Sequence, residues 1–537
     1  MATFFQEELQ RQVDQRGEIV RWMMLIGVSI AALMEVIDSS ITNVALPHIQ
    51  GNLGATTSEA AWVVTAYSIA NVITMPLAKM LGSLFGKKSY FIFSIIGFTL
   101  ASIACGMASS LLFLVLARVV QGLFGGGLLA KAQAFLFEGF PPEKQGAVQG
   151  IFGICVLVGP VLGPTLGGWL TDNYDWRWIF FINVPVGIIS TLLCQAYVPK
   201  DEPKNQSIDQ FGRTKAQAIS VDWTGIAALS VMLGTFQYVL EKGQDDDWFS
   251  SKTIVWCSVF AVIGFVVFLT HELRTREPAV DLRIVRYRSV TVGLFFQTIV
   301  GFVLFGLNYV IPNFAQSMLG YTALQAGLLQ IPSSLVTGFM FPVVGAFSGK
   351  VDARFPVVIG MVFLAFSCWL LIPLNLDWGW NDFMASSLCR GFGLVLVFLP
   401  LTLAAVGDCP TSDIQTASSL LSLVRTLGGS IGIAVLGTIL TRRDDFHRAV
   451  LVEKITPYSL EAMNRFHQFT QMFQNNGWSL SDAREHALHL LDNQVAEQAM
   501  ALSYADLASL LTVFLIATLP FCFLLTSGKR SAPVEMH

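Results

Sequence analysis

The chain has 537 residues, 53% of them hydrophobic and 13% charged, with a mean hydropathy of +0.60. A soluble globular domain carries about 25% charged residues, so this composition excludes an ordinary water-soluble fold and calls for an apolar solvent. The net charge of −4 gives no basis for a nucleic-acid partner.

The first 21 residues mix acids with Arg11, Arg16 and Arg21 ahead of an apolar stretch too long for a signal peptide, so they read as a cytoplasmic segment. A bilayer core of about 30 Å needs roughly 20 apolar residues per helix. Helix is the conformation that pairs every backbone group within such a segment. That window places spans at 22–46, 60–80, 89–108, 111–135, 146–170, 178–198, 223–240, 253–272, 289–313, 323–347, 355–376, 383–407, 416–441 and 507–527, fourteen in all.

Away from the span ends, the charged residues inside these spans are few: Glu35, Asp38, Arg118, Lys131, Arg390 and Arg425. A charge at a helix centre costs about 2.5–3.5 kcal/mol, which marks each as a functional candidate. Glu35 and Asp38, three apart, share a face of the first span. At 1.5 Å per residue, Asp38 and Arg118 fall at similar depth in antiparallel spans, so an ion pair between them is expected. It serves either proton coupling, through a carboxylate tuned by burial and a guanidinium, or helix packing alone. The same alternatives stand for Glu35. Arg390 sits at a comparable depth, Arg425 lies near mid-membrane, and Lys131 is expected to snorkel to the cytoplasmic surface.

The fifth span reads Gly159-Pro160-Val161-Leu162-Gly163-Pro164-Thr165-Leu166-Gly167-Gly168. Glycines at every fourth position make a groove for close helix contact, and the prolines remove backbone donors. Further on, the polar stretch 442–506 suggests an amphipathic helix through Met463, Phe466, Thr470 and Phe473, ended by Asn475-Asn476-Gly477. A second helix is expected from Ser479, capped with Asp482.

Lys and Arg in the loops set the orientation. With the N-terminus in the cytoplasm, the inside loops and tails hold twenty, among them Lys204, Arg213, Arg276 and Lys350, and the short outside loops three. A shift of about 266–269 positions lays spans 1–6 on spans 9–14: Leu53-Gly54-Ala55-Thr56 answers Leu319-Gly320-Tyr321-Thr322, Gly122 answers Gly391, and Gly163 answers Gly432. Two six-helix halves with a site between them are a recurrent transporter plan.

The fifth-span string resembles the antiporter motif of the major facilitator superfamily. Leu33-Met34-Glu35-Val36-Ile37-Asp38-Ser39-Ser40-Ile41-Thr42-Asn43-Val44-Ala45-Leu46-Pro47 is similar to the first-helix signature of its fourteen-helix drug:proton antiporter branch, and Arg118-Val119-Val120-Gln121-Gly122 to the R-x-x-Q-G motif. Trp176-Arg177-Trp178-Ile179-Phe180-Phe181-Ile182-Asn183-Val184-Pro185 resembles the entry to the sixth helix in that branch. The resemblance runs from about 22 to 527 and is nearest to EmrB-type exporters. One departure falls between spans 2 and 3: Ser83 stands where the family has an acid and Lys79 where it has a glycine, so the gating salt bridge there is expected to be absent or built differently.

The resemblance implies an all-α polytopic membrane protein of the major facilitator fold, two six-helix halves plus two extra helices. The organisation expected is a cytoplasmic segment 1–21, a first half 22–198, a linker 199–222, two inserted helices 223–272, a linker 273–288, a second half 289–527 with a periplasmic insert 442–506, and a cytoplasmic tail 528–537. It implies proton-coupled export of lipophilic drugs across a bacterial inner membrane, with both termini cytoplasmic. Asp38, Glu35 and Arg118 would couple protons. Asn43, Gln121, Arg390 and Arg425 would line the substrate cavity. Gly159, Pro160, Gly163, Pro164, Gly167 and Gly168 would seal the halves in one state. No metal or cofactor is expected, only a proton gradient. Expected partners are lipophilic small molecules, membrane lipid, an EmrA-like periplasmic adaptor and a TolC-like outer-membrane channel. The insert would either dock the adaptor or cap the outer mouth. An exporter of one physiological solute, such as a fatty acid or siderophore, is the alternative. A membrane haem enzyme is disfavoured because none of the seven histidines pairs with another deep in a span.

Overall fold

The computed structural model describes residues 2–200, 206–208, 214–216, 222–275, 278–348, 351–410 and 413–525. Most of the 199–222 linker, with Lys204 and Arg213, lies outside the described residues, as do Arg276, Lys350 and the tail 528–537.

The chain opens with α1 (Ala2–Arg16), a helix inside the segment read from sequence only as cytoplasmic. Phe5, Leu9 and Val13 recur at helical spacing and are buried, with Phe5 stacked on Phe135 at 5.7 Å. The first half then comprises α2 (Ile19–Leu53), α3 (Thr57–Thr74), α4 (Ala78–Phe85), α5 (Lys87–Gly106), α6 (Leu111–Gly125), α7 (Leu128–Gly139), α8 (Pro142–Asn173), α9 (Trp178–Phe181) and α10 (Asn183–Tyr197). Two three-residue strands, β1 (Gln206–Ile208) and β2 (Thr214–Ala216), pair antiparallel before the helical hairpin of α11 (Trp223–Lys242) and α12 (Lys252–Glu272). The second half holds α13 (Arg288–Ser317), α14 (Ala323–Leu328), α15 (Ile331–Phe347), α16 (Arg354–Trp369), α17 (Asp382–Ala405), α18 (Ile414–Lys454), α19 (Leu460–Asn475) and α20 (Leu480–Thr518).

Among the described residues, twelve helices are long and apolar enough to cross a membrane. A thirteenth forms if α3 and α4, bent by 66°, count as one span. Pro76 sits in that bend, and its ring removes the donor a straight helix would use. At the expected span 355–376 stands α16, an apolar helix of only 16 residues. Pro373 restricts the backbone just beyond it. Twelve or thirteen spans thus meet length and composition where fourteen were expected.

Matched positions of the internal repeat carry matched local structure. Gly54 and Gly320 both take the left-handed conformation, at φ +62° and +68°. Thr56 then caps α3 in a box with Glu59, and Thr322 caps α14 in a box with Gln325. Gly122 of α6 packs on the backbone of α3 at Tyr67, while Gly391 of α17 packs on the backbone of α15 at Ser333.

The two halves meet along α8, which also touches α14 where Thr165 lies against Gly327. Gly146, Gly150 and Gly153 of α8 face Gly345 and Phe341 of α15, so closely that a Cβ on Gly150 would lie 2.9 Å from the Phe341 carbonyl oxygen. Beside them Gln415 donates to the Ala78 carbonyl at 3.3 Å, and Lys79 approaches Asp413 at 3.7 Å. A salt bridge between the halves thus stands here, with the cation on α4 and the acid at the start of α18. Lys87 is turned elsewhere and holds both oxygens of Glu138 at 2.8 Å.

The antiporter-motif glycines pack within the first half, while Thr165 of the same string meets Gly327 of α14. Gly159, Gly163 and Gly167 face Val36, Ser40 and Ile41 of α2, inside the first half. One helix therefore carries two glycine faces, and the one that meets the other half is Gly146-Gly150-Gly153. The expected insert 442–506 is continuous with the bundle helices. It consists of the ends of α18 and α20 prolonged past the bundle, with α19 between them. The amphipathic helix and the Ser479 cap appear where expected, with Asp482 N–H donating to Ser479 at 3.3 Å. Because α19 packs on α20 and α20 on α18, the hairpin stands on the second half.

Gly163→Ala is expected to destabilise the protein by about 1–3 kcal/mol through overpacking, whereas Gly338→Ala, with nothing within 4 Å, should leave or raise stability. Thermal unfolding in detergent checks the contrast. The Lys79–Asp413 pair is 37% and 25% exposed, so it contributes at most about 1 kcal/mol. Lys79→Asp should lower the closed-to-open ratio by no more than about fivefold, and adding Asp413→Lys should restore it, read as spin-label distances across that contact.

Candidate functional site

Asp38 lies on the buried face of α2, fully sealed from solvent. Its Oδ2 accepts from the Arg118 guanidinium of α6 at 2.5 Å. Its Oδ1 accepts from Gln121 at 2.8 Å and from Asn183 at 2.7 Å. Four segments of the first half therefore meet here, because Arg118 also donates from Nε to the Val63 carbonyl of α3 at 3.1 Å. Tyr67 lies flat beneath the guanidinium, 4.0 Å from ring centroid to Cζ, and Phe180 closes the other side at 5.7 Å. A paired, hydrogen-bonded charge survives burial where a lone one does not. The pair expected from helical rise is present, and it is the only ion pair among the described residues with both side chains at 0% exposure.

Gln121 does not line a cavity. Its Oε1 accepts from Arg118 at 2.7 Å while its amide donates to Asp38, so both ends are committed and the side chain is buried. Asn183 was missed as a site residue, although the sixth-helix string contains it. It opens α10 directly after a break, which aims its amide at Asp38, and it also donates to Ser102 at 3.0 Å.

Glu35 occupies a separate position one turn away. Asn71 of α3 donates to Oε1 at 3.0 Å, and the backbone N–H of Leu129 donates to Oε2 at 3.0 Å. Leu129 is in the first turn of α7, where helical N–H groups have no internal partner and the helix dipole favours an anion. The fourth span is thus two helices, broken at Gly125-Gly126-Gly127, with Glu35 capping the second. α7 in turn packs against α18 of the other half.

The remaining membrane cations differ in their surroundings. Arg425 of α18 is 5% exposed, lies over the Phe398 ring at 5.2 Å, and makes one long hydrogen bond, 3.5 Å to Ser422. It is within electrostatic reach of Glu35 across the two halves. Arg390 is buried within the second half against Gln330 and Ser333. Lys131 does not snorkel: it is 2% exposed, with its ammonium over the face of Tyr90. Asn43 is exposed on α2 and takes no part in the Asp38 cluster.

With this geometry in view, the kinship of the chain is decided by sequence comparison. Residues 28–433 match the family model of the Major Facilitator Superfamily. The chain is a major facilitator superfamily transporter of the EmrB type. It is 34% identical to the multidrug export protein EmrB of Escherichia coli over 481 residues, 88% of this chain and 91% of that protein. It is 32% identical to the fatty acid resistance protein FarB of Neisseria gonorrhoeae, over 95% and 96% of the two chains. The human organic anion transporter MFSD10 shares the fold, with TM-score 0.53 and 12% identity over 92% of this chain and 99% of its own. A transporter of this superfamily is not an enzyme, so the buried polar cluster is read as part of a carrier in a multi-pass membrane protein.

Removing Arg118 alone strands Asp38 as a buried unpaired charge. Arg118→Met is expected to cost about 3–5 kcal/mol, and Asp38→Asn added to it should return part of that, measured by thermal unfolding of the purified protein. An Arg118→Met protein as stable as wild type would show that Asp38 is uncharged in the folded state.

Proposed function

We propose that this chain exports lipophilic compounds, drugs among them, across a bacterial inner membrane in exchange for protons, by alternating access of its two halves. The observation that carries the reading is Asp38: a carboxylate sealed in the first half, held by Arg118, Gln121 and Asn183. Water reaches such a group only when the packing around it shifts, which ties proton exchange to conformation. Arg118 tunes it. Glu35 is a second carrier, and its protonation weakens the cap on α7, whose far side touches the opposite half. A gradient supplies about 2.3 kcal/mol per charge per 100 mV and about 1.4 per pH unit, so no cofactor is needed.

On this reading the bilayer holds fourteen spans, counting α3 with α4 as one and α16 as another. Both termini are cytoplasmic, in keeping with the Lys and Arg of the loops. The closed end, with Lys79 and Asp413, faces the cytoplasm. The hairpin of α18, α19 and α20 then projects into the periplasm. Its exposed apolar residues Tyr458, Leu460, Trp478 and Leu488 offer a docking surface for an EmrA-like adaptor leading to a TolC-like channel. Its support on the second half alone favours docking over a cap across the mouth. A second reading, export of one physiological solute such as a fatty acid or siderophore, draws on the relative named for fatty acid resistance.

Proteoliposomes with an imposed pH gradient test the exchange. Uphill movement of a lipophilic dye should require the gradient and collapse with an ionophore. Asp38→Asn should lose the gradient-driven component by at least about tenfold while the protein stays folded. Undiminished uphill transport in that variant removes Asp38 from the mechanism.

A further inference from the structure

The base of the α11–α12 hairpin holds a cluster of titratable groups outside the Asp38 site. Asp222 caps α11, where its Oδ1 accepts the Gly225 N–H at 2.8 Å and lies 2.8 Å from His271 Nε2. Glu272 ends α12, and its Oε1 accepts the Val280 N–H at 3.3 Å. Both acids are buried: the Asp222 side chain is 7% exposed and Glu272 2%. Both crowd Gly225, where a Cβ would lie 2.5 Å from Asp222 Oδ2 and 2.8 Å from Glu272 Oε1. Glycine lets the two acids come together there, because any side chain would push them apart.

Each acid also keeps one sealed oxygen, Asp222 Oδ2 and Glu272 Oε2, with no hydrogen-bond partner among the described residues. The charged groups of those residues within electrostatic reach of Glu272 are Asp222 and His271. In the linker that follows, Asp281 accepts the Arg283 N–H and Arg283 donates to the Thr275 carbonyl, so both are engaged within the linker. Two buried carboxylates side by side oppose each other's charge, and a sealed oxygen without a donor is costly. One proton removes both defects: carried by one acid, it is donated to the other.

We infer that Asp222 and Glu272 bind one proton between them, and that this shared proton latches the linker after α12 onto the hairpin. The linker matters because Ala279, Val280 and Ile284 share an apolar cluster with Leu229 and Phe268 of the hairpin, Leu77 at the start of α4 and Ile414 of α18. That cluster belongs to the closed end, beside Lys79 and Asp413. Loss of the proton sets two anions against each other. One acid then turns to water, and either the α11 cap or the Val280 bond is lost with it. Acid therefore keeps the closed end shut, and a rise in pH loosens it. On the exchange proposed above, protons are delivered to this side, so the latch slows the next opening as they accumulate. Only this last step rests on that exchange.

Hydrogen–deuterium exchange of the full chain in nanodiscs, with no gradient, reads the latch. Corrected for the intrinsic pH dependence of exchange, protection of the linker around Val280 should fall at least about tenfold between about pH 6 and about pH 9. Glu272→Gln and Asp222→Asn each place a permanent N–H donor between the two side chains. Both should keep the linker protected across that range, whereas Glu272→Ala should leave it open throughout. Infrared spectra should show a protonated carboxyl band in the wild type that fades over the same range and is missing from Glu272→Gln. Wild-type protection that stays flat with pH overturns the latch, whether or not the variants fold. A pH dependence that persists in both amide variants overturns it too, as does a carboxyl band unchanged by Glu272→Gln. Because no gradient is applied, loss of proton-driven transport in vesicles leaves the latch standing. A linker indifferent to pH likewise leaves the proton exchange standing.

Discussion

Charge cannot remain unpaired in oil, and the first half is organised around that constraint. Asp38 is tolerable only because α6 brings Arg118 and Gln121 to it, the turn before α10 brings Asn183, and α3 supplies the Val63 carbonyl to finish the guanidinium. The donors come from α6 and α10 and the carbonyl from α3, so the cluster fixes the rotation of these helices and α2 about their axes. Nonspecific apolar packing in lipid does not do that. Small side chains elsewhere then decide how close the backbones come. The α2–α8 contact through Gly159, Gly163 and Gly167 sets α2 against α8 along the same stretch that carries Glu35 and Asp38.

The second carboxylate connects this rigid core to the closed end. Glu35 caps α7 across the Gly125-Gly126-Gly127 break, and the body of α7 leads to Glu138, held by Lys87, and packs on α18. A single helical span would transmit a shift of α6 directly to that contact. A span broken in the middle and capped by an ionisable group lets the two segments move apart when the cap weakens. On the proposed reading, the coupling between charge and conformation is mechanical, through the Glu35 cap on α7 and the α7–α18 contact. Its working element is the α6–α7 joint, with the Gly146-Gly150-Gly153 face of α8 as the surface that parts.

Much of this was legible in the sequence because lipid imposes simple rules. Apolar length marked the helices, and the scarcity of charge inside them singled out Asp38 and Arg118, whose depth followed from helical rise. The repeat was legible for a similar reason: Gly54 and Gly320 are demanded by the same left-handed turn before the same capped helix. What stayed hidden depended on direction around a helix rather than position along it. Gln121 looked like a cavity residue until its amide was seen spanning both partners of the ion pair. Asn183 had no periodic signal, because a break before α10 aims it. The motif glycines announced a close contact without saying with which neighbour, and the neighbour is α2. Lys131 has the length to reach water, yet the face of Tyr90 holds it inside. Polar α1 and the prolonged ends of α18 and α20 fall outside any hydropathy window.

The two halves share a fold repeat but not a charge pattern, and the difference sorts their roles. Both membrane carboxylates, Glu35 and Asp38, sit on α2, while α13, which answers it in the repeat, has none between Arg288 and Ser317. The second half keeps only cations at depth, Arg390 and Arg425. Arg390 is closed in by its own helices, with its Nη1 unpartnered, and Arg425 makes one long bond to Ser422. With all ionised, Glu35 and Asp38 offset Arg118 and Arg425, and Arg390 is left as one buried cation over. A proton on either carboxylate leaves the first pair of guanidiniums one anion short. On the proposed reading, proton chemistry belongs to the first half, and the field across the gap between Glu35 and Arg425 is where the second half senses it.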